Sequence, residues 1–181
     1  MQVSGWRSCL PGGVFGAALR GWLREPGSLT ARLQRRGRFR IRLLWQRLHH
    51  ANADECSALG LIPGSRCWVR EVVLFCDDVP VIFAHTVLPV RPRGVLTRWF
   101  ARLGSRSLGS LLFAHPGFIR SHLAFSRIDM RHPLHASAMS TLGVDPAGGF
   151  LARRCTHRLH GQTVLVTEVF SPRLEKSAAG A

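Results

Sequence analysis

TVLVTEVFSP, Thr163 to Pro172, is a run of β-branched and apolar residues with a single carboxylate, Glu168, inside it. Val, Thr and Phe at this density favour a strand, and the run is too short and unphased for a helix. Just upstream, FLARRCTHRL, Phe150 to Leu159, reads as a second strand, and HGQ, His160 to Gln162, is a tight hairpin signal between them. A second pair follows the same plan. CWVREVVLFC, Cys67 to Cys76, leads into Asp77 and Asp78 as a turn, and the chain returns as a strand from Val79 to Val90. Two hairpins, with helical stretches before and between them, predict an α+β fold with a mostly antiparallel sheet. A chain of 181 residues suits one such domain, 1–181, with its core from about 14 to 172.

Outward from the hairpins the signals vary in strength. Val14 to Arg24 predicts a short helix with Phe15, Leu19, Trp22 and Leu23 at helical spacing, broken by Pro26 and Gly27. Ser28 is then an N-cap for a second helix carrying Leu29 and Leu33, and Gly37 stops it. From Arg38 to Arg47 the period changes to two. Phe39, Ile41, Leu43 and Trp45 face one way, while Arg38, Arg40 and Arg42 face solvent. Asn52, Asp54 and Glu55 read as a loop running into GLIPGS. After Pro92 and Gly94 comes an amphipathic helix, Val95 to Leu103, and SRSLGSLLF, Ser105 to Phe113, adds another short one. Phe118 to Ile128 alternates partially. Arg131 to Gly149 is rich in Pro, Gly, His and Ser and reads as a loop or flap, and the tail LEKSAAGA reads as frayed.

Bulk composition narrows the function classes. The formal charge of +15 invites a nucleic-acid or membrane reading. Yet all but one of the 25 basic residues are arginine, Lys176 being the exception, and they are scattered. That skew, beside abundant Ala, Gly, Leu and Val, is a codon-composition bias rather than a phosphate-binding face. Neither a basic-aromatic ladder nor a Gly-rich phosphate loop is present, so no nucleic acid is expected as partner. No run approaches the roughly 18 apolar residues that a membrane span requires. Five cysteines without a CxxC pair point to reduced thiols and a cytoplasmic protein.

Chemistry is best sought at the out-of-place charges. Counting in twos, Glu168 shares a face with Val164, Val166 and Phe170, and an ionised carboxylate there needs a partner or a raised pKa. Arg70 mirrors it, sharing a face with Trp68, Val72 and Leu74, while Glu71 shares the other with Val69, Val73 and Phe75. Both faces are apolar, so periodicity leaves open which charge points inward. An ordinary structural ion pair, including one between Arg70 and Glu168 themselves, is as good an account as a site. A buried arginine nevertheless suits a carboxylate ligand, because its planar fork pairs with both oxygens. The histidine pairs His132/His135 and His157/His160 match no ligand pattern such as HExxH, so no metal is expected.

Taken in order, WLREPGSLTARLQRRG, GSRCWVREVVLFCDDVPVIFAHTVLPV, LGSRSLGSLLF and FLARRCTHRLHGQTVLVTEVFSP resemble the chorismate pyruvate-lyase family, over about Phe15 to Pro172. The resemblance implies an antiparallel sheet whose helical flaps enclose the ligand. It implies conversion of chorismate to 4-hydroxybenzoate and pyruvate, the first committed step of ubiquinone synthesis, without a cofactor and by a monomer. It places the family's substrate-contacting arginine on Arg70 and its key glutamate on Glu168. The two flap positions that touch ligand through their backbone fall on Leu29 and Leu108, with Gly109 permitting close approach. Three departures stand out. Leu29 replaces a Met, Ala84-His85 stands where Gly-Arg is usual, and the segment from Met130 to Gly149 is longer than usual.

The implied chemistry needs an anion clamp and a manager for one proton. Loss of a ring hydrogen and departure of enolpyruvate aromatise the ring. Arg70 would hold a carboxylate, and Glu168 would be the general acid/base. The family blends into a related ligand-sensing domain of transcription regulators. A non-catalytic module that binds a small aromatic acid is therefore one alternative, although the sequence ahead of the first helix is too short for a helix-turn-helix, and a nucleic-acid-binding protein driven by its charge is the other, ranked with it below the lyase.

Overall fold

Residues 5–13, 16–91 and 94–176 are described by the computed structural model. The helices are α1 (Ala17–Leu23), α2 (Leu29–Arg36), α3 (Ala53–Leu59), α4 (Val95–Arg102), α5 (Leu108–Ala114), α6 (His135–Leu142) and α7 (Arg173–Lys176). The strands are β1 (Phe39–His50), β2 (Arg66–Cys76), β3 (Val79–Pro89), β4 (Ile119–Arg120), β5 (Ala124–Ile128), β6 (Phe150–Leu159) and β7 (Gln162–Phe170). They form one antiparallel seven-stranded sheet in the order β1-β2-β3-β7-β6-β4, with β5 paired to the other end of β6. This is the α+β domain that the hairpins predict.

Both predicted hairpins close through two residues. Cys76 pairs with Val79 around Asp77 and Asp78 at φ 50° and 62°, and Leu159 pairs with Gln162 around His160 and Gly161 at φ 46° and 71°. Two successive left-handed residues twist the way the flanking strands do. Pairing of β3 with β7 then joins the hairpins into one sheet.

Helices cover both faces. On one, Leu19, Trp22, Leu23, Leu29 and Leu33 of α1 and α2 pack on Val72, Leu74, Ile82, Ala84 and Phe170. Beside them Leu96, Phe100 and Leu112 of α4 and α5 cover Leu88, Val164 and Leu159. On the other face Leu134, the N-cap of α6, and Ala138 and Leu142 of that helix meet Phe83, Ala152 and Val169, and Cys56 of α3 joins Val69, Val87 and Leu165. Double coverage explains why the central strands read as unbroken apolar runs.

Several local expectations are corrected. The segment with Asn52, Asp54 and Glu55 is not a loop but α3, opened by a capping box between Asn52 and Glu55 and ended by Gly60 at φ 64°. The long stretch from Arg131 to Gly149 is no flap. It contains α6, where the N-cap Leu134 and then Ala138 and Leu142 recur every four residues, and it packs behind the sheet. In β1 the register shifts between Leu43 and Trp45, so Trp45 leaves the face of Phe39, Ile41 and Leu43 and packs with the α3 cluster. The tail is ordered through α7, where Leu174 is buried in the core and Glu175 accepts from the backbone N–H of Gly16 at 2.7 Å. The first helix starts at Ala17. Val14 and Phe15, Pro92, and the end of the tail lie outside the described residues.

Candidate active site

Strand register sets the geometry of the two charges. Arg70 is opposite Thr86, which is opposite Val166, while Val72, Ala84 and Glu168 are aligned one step of two residues further along. Arg70 and Glu168 therefore share the face covered by α1, α2, α4 and α5. They are two strands and two residues apart, which puts their Cα atoms roughly 12 Å from each other. They do not form an ion pair with one another.

Each has partners of its own. Arg70 is buried, and its guanidinium donates to the carbonyls of Gly104 and Arg106 at 3.2 and 3.0 Å, in the turn between α4 and α5. Burial lowers it to about 10, which leaves it cationic at neutral pH. Glu168 is not an unpartnered carboxylate on an apolar face. Its Oε2 accepts from Nε of Arg153 at 2.6 Å, the residue directly across from it on β6. Sequence reasoning does not single out Arg153, although counting back from the hairpin turn places it opposite Glu168.

The flap positions converge. Ser28 and Ser107 cap α2 and α5 by accepting from the backbone N–H groups of Ala31 and Ser110. Leu29 and Leu108 are the first helical residues, where a backbone N–H has no acceptor within the helix. Thr30 Oγ1 and Ser107 Oγ lie 2.8 Å apart, so one hydrogen bond ties the two helix starts together. A cavity of about 650 Å³ opens on this face beside that bond, lined by Thr30, Gln34, Phe39, Ile41, Arg106 and Ser107. Its wall includes the turn that Arg70 grips, whereas Glu168, partly buried on β7, is not among its lining residues.

Further along the same face, β6 presents Cys155 and His157, with Cys155 Sγ 3.4 Å from His157 Nε2 and 3.3 Å from Nε of Arg120. Burial, reinforced by the charges of Arg120 and Arg153, pushes His157 down to about 4, so its ring is neutral at pH 7. Among the described residues no three His, Cys, Asp or Glu side chains are grouped to hold a metal ion.

His85 lies behind the sheet, so the Ala84-His85 departure does not place a charge at the site. Ala84 faces Glu168, while His85 is buried with Nε2 3.0 Å from Glu55 and Nδ1 2.9 Å from Glu71. Burial opposes the imidazolium, yet the two carboxylates outweigh it and raise the ring to about 9.

Residues 13–178 match the family model described as chorismate lyase. The chain belongs to the chorismate lyase family. A probable chorismate pyruvate-lyase of Dechloromonas aromatica (strain RCB) is 53% identical over 175 residues, covering 96% of this chain and 98% of its own length. The α+β fold also has neighbours among solved structures. The effector domain of PhnF from Mycobacterium smegmatis superposes with a TM-score of 0.53 at 17% identity, over 80% of this chain and 88% of that one. The C-terminal domain of the histidine utilization repressor from Pseudomonas syringae pv. tomato str. DC3000 gives 0.54 at 14% identity, over 74% and 91%. At such identities these two share the fold alone. No helix among the described residues is long and apolar enough to cross a membrane.

Proposed function

We propose that this chorismate lyase family member eliminates pyruvate from chorismate to leave 4-hydroxybenzoate, the step that commits chorismate to ubiquinone synthesis, as a monomeric cytoplasmic enzyme needing no cofactor. The observation that carries the reading is the placement of a buried cation, Arg70, and a partly buried carboxylate, Glu168, on one helix-covered sheet face. Their spacing of roughly 12 Å between Cα atoms leaves room between the two side chains for one small ring.

Chorismate carries two carboxylates, and its ring lacks one elimination to be aromatic. In that elimination a ring C–H bond and the ether C–O bond break. The C–H electron pair becomes ring π-bond, enolpyruvate leaves, and a proton taken up by the enolpyruvate yields pyruvate. Arg70 exchanges its carbonyl partners for a substrate carboxylate, which its fork can grip through two N–H groups. Glu168 handles the proton, a contribution typically worth about 10²–10⁴-fold. The N–H groups of Leu29 and Leu108 supply further donors, and the joined flaps exclude water and strengthen each of these interactions.

The test is purified protein with chorismate, following 4-hydroxybenzoate by chromatography. Formation of product is expected, with turnover collapsing in Glu168→Ala and product affinity falling in Arg70→Ala. Binding of 4-hydroxybenzoate while chorismate survives would instead mark a sensing module, as in the regulator domains of similar fold.

A further inference from the structure

We infer that Arg153 is the positioning residue of this site, one guanidinium that orients Glu168 and ties it to the root of the α2 flap. The inference rests on the proton-handling role proposed for Glu168. Arg153 is 1% exposed, and burying a charge so fully is costly unless its donors are used. They are used in two directions. Nε donates to Glu168 Oε2 at 2.6 Å, while Nη1 donates to the carbonyls of Leu23 at 3.3 Å and Glu25 at 2.6 Å. Those carbonyls belong to the end of α1 and the link that leads into Ser28 and α2. Arg120, from β4, holds the next carbonyl of the same link, that of Pro26, at 2.5 Å.

The grip on Glu168 is one-sided. The hydrogen bond from Arg153 goes to one oxygen of the carboxylate, Oε2. Fixing one oxygen sets the torsion of the carboxylate and so aims the other. Only a fork can do this while also holding two carbonyls, because a lysine ammonium is a single point of charge on a flexible stem. A shift of the flap root would pull the guanidinium and turn the carboxylate, so flap seating and Glu168 orientation are one mechanical unit.

A double-mutant cycle on chorismate turnover tests this, using Arg153→Met, Arg153→Lys and Glu168→Gln, each checked for folding by thermal unfolding. Misplacing a reacting group by about an ångström costs about 10²-fold, so Arg153→Met is expected to lower kcat about 100-fold and Arg153→Lys about 10-fold, with KM moving less than about threefold. In the Glu168→Gln background either change is expected to cost less than about twofold more, because the group it orients is gone. Equal losses in both backgrounds, or a wild-type kcat in folded Arg153→Lys, would overturn the inference. Should Arg153→Met fail to fold, the lysine arm of the cycle decides. Wild-type turnover in Glu168→Gln is a separate failure, since it removes the role of Glu168 itself.

Discussion

Replacing His85 by Gln should remove a pH-dependent share of stability that the buried Glu55–His85–Glu71 cluster supplies. The imidazolium sits 3.0 and 2.9 Å from two carboxylates and is 6% exposed, so solvent screens it little. The cluster carries its ring from the ordinary 6.5 to about 9. Each unit of pKa displacement corresponds to about 1.4 kcal/mol, so protonation of His85 contributes roughly 3 kcal/mol to folding. That agrees with the cost of about 3–5 kcal/mol for breaking a buried pair by removing one partner. The sign follows from the direction of displacement. A ring whose pKa is raised in the folded state gives its full contribution below 6.5 and loses it as pH rises through about 9. Urea unfolding at intervals from pH 6 to pH 10 measures it. Wild type should lose most of the 3 kcal/mol across that range. His85→Gln should be less stable at pH 7, nearly flat with pH up to about 9, and close to wild type at pH 10. Cys67 is pushed up to about 11 by burial, with Cys56 and Glu55 adding to the effect, while its thiol in the unfolded chain ionises near 9, so it gives both proteins the same downward slope above about pH 9. Parallel curves for the two proteins, or equal stability at pH 7, would refute the reasoning.

Three further outcomes follow from single contacts. Leu33 is fully buried beneath α2, so Leu33→Ala should cost about 2–5 kcal/mol in urea unfolding with an unchanged m-value. Thr30→Val removes the hydrogen bond to Ser107 at nearly constant shape. With a net worth of about 1 kcal/mol, its loss should speed release of 4-hydroxybenzoate in stopped-flow about fivefold and lower the melting temperature by only about 2–4 °C. His157 is held neutral down to about 4, whereas in the unfolded chain it takes its proton at 6.5. Stability should therefore erode as pH falls from 6.5 towards 4, and His157→Phe should flatten that limb in acid titrations followed by circular dichroism.

Elements specified by near neighbours are legible in the chain itself. Ser28 and Gly37 bracket α2 as caps, and the residue pairs Asp77-Asp78 and His160-Gly161 close the hairpins, because each acts within a few residues of itself. The capping box of Asn52 and Glu55 is equally local, yet the acidic, polar stretch around it resembles a loop and hides it. The helix α6 and its N-cap carry only a thin stripe of Leu134, Ala138 and Leu142 among polar residues, and the helix starts without a side-chain cap. Its amphipathic signal is weak until the sheet it covers is in place.

The sequence by itself determined the antiparallel hairpins, the helix start that carries Leu29, and the two uncomfortable charges at positions 70 and 168. Only the tertiary structure decided what those charges meet. A strand buried on both faces has no polar side to betray its orientation, so the inward choice of Arg70 over Glu71 waits for pairing across three strands. The same registers set Arg153, not Arg70, against Glu168, and turn His85 to the far side of the sheet. A carboxylate's partner is fixed by which residue stands across the ladder, and that is a property of the assembled sheet.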